Sequence, residues 1–134
     1  MTKLSDIEGI GPSYSDKLKE AGIGSIEKLL EICCVKKNRK ATADTTGISE
    51  KLILEWVNRA DLSRVKGVST QYADLLEFAG VDTVPELAQR NAENLQQKMA
   101  EVNEEKKLVR QVPSVSQVES WVAQAKDLPR VVTH

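Results

Sequence analysis

Residues 7–23 read IEGIGPSYSDKLKEAGI. Gly9 and Gly11 flank Ile10, Pro12 follows at once, and the pattern beyond Pro12 is that of a helix. Tyr14, Leu18 and Ala21 fall at i, i+4 and i+7, which places them on one helix face. Gly9 admits a positive φ without a clash at Cβ. Ile10 is an apolar plug for the space between two helices, and Gly11 lets another backbone or a phosphate approach closely. Pro12 suits the first helical turn, where its missing N–H would have no partner in any case. Such a stretch has two readings. It is a tight connection between helices, or it is an anion site where free backbone N–H groups and the helix dipole meet a phosphate. Lys17 and Lys19, one to two turns along, add charge to the second reading.

Outward from this stretch the chain repeats itself. A shift of 58 residues places Leu4 on Leu62, Ile7 on Val65, Gly9 on Gly67, Ile10 on Val68, Tyr14 on Tyr72 and Leu18 on Leu76. Apolar replacing apolar at a fixed offset marks a duplication. It returns near the end of each half, where ISEKLILEWVNRADL (48–62) resembles VSQVESWVAQAKDL (115–128). There Trp56 and Trp121 stand 65 apart, so the second copy carries an insertion. Gly22 and Gly80 follow the helix that each turn opens, at the place for a left-handed residue. Ser25 and Thr83 are N-caps for the next helix, and Ser49 and Ser116 for the helices that carry the tryptophans. Residues 91–111 read as two helices or one bent helix. The tail LPRVVTH (128–134) has no partner pattern and is expected to be loosely held.

Composition agrees with packed helices. Of 134 residues 40% are hydrophobic, with one Phe, two Tyr and two Trp, so the core rests on Leu, Ile, Val and Ala. The net charge is −1, which argues against a strongly basic nucleic-acid binder. Neither half departs from balance: residues 1–61 hold ten basic and ten acidic side chains, and residues 62–134 nine and ten. The one basic run is KKNRK, with Lys36, Lys37, Arg39 and Lys40, read as a solvated loop or helix face or as further phosphate contacts. Cys33 and Cys34 are adjacent, a poor geometry for a mutual disulfide. With no C-x-x-C and a single His at the end of the chain, no metal site is expected, and no cofactor. No signal-peptide pattern or membrane-length apolar run is present, so the expectation is a cytoplasmic, reduced protein.

The second copy of the turn, VKGVSTQYADLL (65–76), departs from the first. Gly67 and Val68 repeat Gly9 and Ile10, but Ser69 and Thr70 replace Gly11 and Pro12. A Ser there can cap the helix with its own hydroxyl and compete for the N–H groups a phosphate would need. Lys17 becomes Leu75, which removes a charge, while Lys66 is gained. The shared pattern, an apolar helix, (I/V)-x-G-(I/V) and a second helix, is that of a helix-hairpin-helix. The expected fold is all-α: two tandem helix-hairpin-helix (SAM-like) units packed as one body, residues 1–61 and residues 62–134, the second with the insertion and the loose tail. Tyr14, Tyr72, Trp56 and Trp121 read as core.

The runs TTGISEKLILEWVNRADLSRVKGV, YADLLEFAGVDTVPELAQRN, VNEEKKLVRQVPS and WVAQAKDLPRVV resemble a bacterial family of unknown function built from tandem helix-hairpin-helix units. The resemblance runs from Leu4 to Val132. Its members are sometimes labelled predicted flap-endonuclease-like helix-turn-helix proteins, which implies association with DNA. The individual hairpins resemble those of DNA repair proteins and of the RNA polymerase alpha C-terminal domain, where the Gly-h-Gly turn grips the sugar-phosphate backbone without reading bases. Carried over, the resemblance implicates Gly9, Ile10, Gly11 and Lys17, and Gly67 and Val68 only in part, because Ser69 breaks the motif.

An enzyme is not expected. A flap nuclease needs clustered carboxylates to hold divalent metals, and the acidic residues here are scattered at helix-surface spacing. Two functions remain. One is a module that binds the DNA backbone weakly and without sequence preference, through Gly9, Ile10, Gly11, Pro12, Lys17 and Lys19, in lesser part Gly67, Val68 and Ser69, and the basic run. The other is a helical protein-interaction or assembly module, its partner an unidentified protein or a second copy of the chain, with the hairpins purely architectural.

Overall fold

The computed structural model describes residues 3–7 and 9–133, and the described residues are helical without a strand. After a 3-10 turn, Leu4–Asp6, come α1 (Pro12–Glu20), α2 (Ile26–Cys33), α3 (Lys36–Thr46) and α4 (Glu50–Leu62). Then follow α5 (Thr70–Phe78), α6 (Val84–Ala88), α7 (Ala92–Lys106) and α8 (Val115–Asp127). The chain divides into two compact units, Met1–Asp61 with Val131–His134, and Leu62–Arg130.

In unit one the 3-10 turn packs on α1 and α2 packs on α3. Its core gathers Leu4, Ile7, Ile10, Leu18, Ile23, Ile26, Leu29, Ile53, Trp56 and Val57. In unit two α5 packs on α7, and α6 and α7 both pack on α8. Its core gathers Val65, Val68, Leu75, Leu76, Val81, Leu87, Leu95, Met99, Val118 and Trp121. Both tryptophans, Leu18 and Leu76 are almost fully buried, as aliphatic helices with few aromatic residues require.

The internal repeat is visible in the hydrogen bonds. After α1, Gly22 N–H donates to Lys19 O at 3.0 Å and Ile23 N–H to Leu18 O at 2.8 Å. After α5, Gly80 N–H donates to Glu77 O at 3.0 Å and Val81 N–H to Leu76 O at 2.8 Å. Each is the paired closure that satisfies the last carbonyls of a helix and turns the next apolar residue inward. Ser25 then caps α2 and Thr83 caps α6.

Two open readings resolve, and two details differ from the sequence expectation. KKNRK opens a separate eleven-residue helix, α3, and is no loop. Residues 91–111 form one helix that stops at Lys106, because Lys107 adopts the left-handed conformation at φ 52°. The insertion of the second copy lies in the longer α7 and in the connection to α8. The cap of α8 is Ser114, two residues before Ser116: Ser114 accepts from Gln117 N–H at 3.2 Å, and the Gln117 side chain accepts from Ser114 N–H at 3.0 Å. Finally, the tail is no loose end of the second unit. Val132 is 3% exposed in the core of unit one, and Thr133 N–H donates to Cys34 O at 2.8 Å.

Candidate nucleic-acid interface

Turn one is built by the 3-10 turn that precedes it. Ile7 N–H donates to Leu4 O and Ile10 N–H to Ile7 O, both at 3.1 Å, so the chain coils tightly before α1. Gly9 takes φ +94°, a conformation that side chains with a Cβ rarely adopt. A Cβ there would stand 3.6 Å from Trp56 Nε1, an ordinary contact. Tyr14 packs on the same indole, with ring centroids 5.3 Å apart. Turn two repeats the construction: Val65 N–H to Leu62 O and Val68 N–H to Val65 O at 3.1 Å, Gly67 at φ +95°, and Tyr72 on Trp121 at 5.4 Å. The fit there is tighter, since a Cβ at Gly67 would lie 2.9 Å from Trp121 Nε1. In both copies the indole N–H edge supports the turn from beneath, and the tyrosine holds the ring.

The two turns differ at the mouth of the following helix. Gly11 is the N-cap of α1; its backbone is extended, no side chain caps the helix, and a Cβ there would meet nothing within 4 Å. Neither conformation nor packing demands glycine at this position. What the glycine leaves is an open approach to the first N–H groups of a nine-residue helix that carries Pro12 at its start. At turn two, Ser69 Oγ accepts from Tyr72 N–H at 3.2 Å, which removes one of those donors. Gln124 further clamps this turn, accepting from Lys66 N–H at 2.9 Å and donating to Lys66 O at 3.2 Å.

The remaining residues singled out by the sequence are scattered. Ile10 and Val68 are buried at 3% and 5% exposure and their N–H groups are spent, so they shape the turns and offer nothing outward. Lys17 is exposed, with Nζ 5.9 Å from the centre of the Tyr14 ring. Lys19, two residues on, stands about 160° around the helix at 3.6 residues per turn. It lines a separate cleft with Lys3 and Ser15. In the basic run Lys36, Lys37 and Lys40 are exposed. Arg39 is not: it is 3% exposed, and its guanidinium donates to Cys33 O and Cys34 O, each at 3.0 Å, and to Thr133 O. Read as a phosphate contact, Arg39 is instead the cation that ties α2, α3 and the tail together.

Sequence reasoning missed two cations beside turn two. Lys107 and Arg110, both in the inserted segment, line a cleft of about 850 Å³ with Ser69, Gln71 and Tyr72. Tyr72 OH donates to Gln111 O at 3.1 Å, and Asn103 pins Val109 through both its N–H and its C=O. No pattern in the inserted segment points back to the turn. Lys107 and Arg110 bring positive charge beside turn two, whose helix carries buried Leu75 in place of Lys17.

Among the described residues no group of three or more His, Cys, Asp or Glu side chains is placed to hold a metal ion, and no helix is long and apolar enough to cross a membrane. Cys33 is buried, its Sγ 3.5 Å from Thr42 Oγ1, and burial pushes its thiol above the ordinary value.

These features define an all-helical protein of two units, each with the same glycine turn seated on a tryptophan, and with an open helix mouth only at turn one. The chain belongs to the family described as Domain of unknown function (DUF4332), which matches residues 8–128. No solved structure matches it.

Proposed function

We propose that the two units are tandem helix-hairpin-helix modules and that the protein binds the DNA backbone weakly and without sequence preference, through turn one. The observation that carries this is Gly11: an uncapped helix mouth, held open by a glycine that neither backbone conformation nor packing requires. Lys17 stands on the same helix, and Lys36, Lys37 and Lys40 are free of the internal duties that occupy Arg39. Binding is the whole activity in this reading; no catalysis is assigned, and the cytoplasm is the expected location.

Titration of fluorescent duplex and single-stranded DNA at low salt tests it. The expected Kd is on the order of 10⁻⁴–10⁻⁶ M at physiological salt, and affinity falls as salt rises, because phosphate contacts release counterions. A scrambled sequence binds equally, since backbone contacts carry no base information. Gly11→Val weakens binding far more than Ser69→Val. Charge reversal at Lys36, Lys37 and Lys40 lowers the salt slope. Absence of binding at low salt overturns the proposal.

A second reading, a helical protein-interaction module with architectural hairpins, has its own observation. Phe78, the one phenylalanine, is 47% exposed, with Lys106 Nζ 4.6 Å over its ring. The same titration decides between them.

A further inference from the structure

Unit one holds a second cationic feature, which draws Lys19 away from turn one into a separate cleft. A cleft of about 290 Å³ is lined by Lys3, Leu4, Ser5, Ser15, Lys19 and Gly24. The 3-10 turn forms one wall, α1 another, and the loop before α2 the third. Among the described residues no carboxylate lines it. Two lysines and two serines line it, and among the described residues neither lysine is held in an ion pair. Ser15 is only 8% exposed, so its polar side chain belongs to the wall of the cleft.

The second copy of the scaffold shows that the fold does not require this set. At the 58-residue offset, Leu4 and Ser5 recur as Leu62 and Ser63. Lys3 is replaced by Asp61, Ser15 by Ala73, Lys19 by Glu77 and Gly24 by Asp82. The apolar anchor and one hydroxyl are kept, both cations become carboxylates, a hydroxyl is lost, and a third carboxylate appears. Gly24 has neither a positive φ nor a neighbour within 4 Å of a Cβ, so nothing inside unit one excludes a side chain there.

We propose that this cleft binds a phosphate group. Ammonium and hydroxyl groups are all donors, and charge-assisted donation to phosphate oxygens is the strong form of the hydrogen bond. The volume falls at the lower limit of small-molecule pockets, which suits one phosphate group and not a whole nucleotide. The group is either free phosphate or the terminal phosphate of a nucleic-acid strand. The site is distinct from the Gly11 turn and does not depend on it.

The test is a titration of the ¹⁵N-labelled protein with inorganic phosphate at constant ionic strength, followed by amide shifts. The expected result is a saturable shift at Ser5, Ser15, Lys19 and Gly24, weakened about tenfold or more in Lys19→Glu and in Gly24→Asp, as loss of a charge-assisted contact predicts. Both variants install the residue that the second copy already carries on the same scaffold, and an unchanged amide spectrum elsewhere verifies the fold. Gly11→Val leaves this phosphate response intact, which separates the site from the DNA reading. A second arm compares an oligonucleotide with and without a 5′-phosphate: tighter binding of the phosphorylated strand assigns the source to strand ends, and equal binding assigns it to free phosphate. Shifts that rise linearly without saturating, or that persist undiminished in both variants, overturn the proposal.

Discussion

At Gly67 two demands coincide: a positive φ, and an indole so near that a Cβ would stand 2.9 Å from Trp121 Nε1. At Gly9 only the first applies, and at Gly11 neither. Unfolding in urea is therefore expected to rank the three alanine variants. Gly9→Ala costs about 1–2 kcal/mol for the left-handed backbone. Gly67→Ala costs more, because the indole must also move. Gly11→Ala stays below about 1 kcal/mol, the loss of a tolerable N-cap. The sequence makes the two turn glycines legible because glycine before a plug residue recurs at a fixed offset; the tightness at Gly67 depends on a tryptophan 54 positions away and leaves no trace in the motif. The adjacent cysteines part in the same way. Burial lifts the Cys33 thiol above its ordinary value of 9.0, with the Thr42 hydrogen bond and Arg39 pulling the other way, whereas Cys34 is half-buried. Because the folded value is the raised one, the stability linked to this thiol is whole below the unfolded value and is lost as pH rises through the folded value. A thiol reagent near pH 8 should modify Cys34 promptly and Cys33 only at the rate of unfolding; equal rates would contradict the burial of Cys33.

The helices with apolar stripes were readable from their periodicity, and α3 was not, for a physical reason. Its buried side is made of Arg39 and Thr42, so an apolar count over KKNRKATADTT finds nothing to follow. A charged residue becomes a core residue when backbone carbonyls absorb its donors, and those carbonyls belong to Cys33, Cys34 and Thr133. The start of α8 was misread because two overlapping capping signals compete: Ser114 with Gln117, and Ser116 with Glu119. The earlier one wins because it brings Val115 into the first turn and places buried Pro113 and Val118 on either side of the cap, the arrangement of a hydrophobic staple. Ser114→Ala should cost about 0.5–2 kcal/mol and Ser116→Ala little, both read by thermal or urea unfolding. The opposite order would return the cap to Ser116.

Across the whole chain, each unit holds one tryptophan under one glycine turn, and unit one is closed by residues that follow unit two in sequence. That closure was not legible. Val131, Val132 and Thr133 are too few to show a period, and their partners are backbone carbonyls and a guanidinium, which carry no sequence pattern. The energetic expectation is nonetheless definite. Val132 is 3% exposed, Thr133 N–H donates to Cys34 O, and Thr133 O accepts from Arg39, itself 3% exposed. Deleting residues 131–134 uncovers apolar surface in the core of unit one and leaves a buried guanidinium short of one acceptor. The combined loss is about 2–4 kcal/mol, from the burial of one valine and from the penalty of an unmet charged donor. The two tryptophans make the measurement specific. In a Trp121→Phe background Trp56 is the one remaining indole, and its fluorescence reports unit one during urea unfolding. The shortened chain should show its Trp56 transition at clearly lower urea than the full chain, and Arg39→Met in the full chain should shift it in the same direction. A Trp56 transition that ignores the deletion would mean that residues 131–133 lie on unit one without holding it.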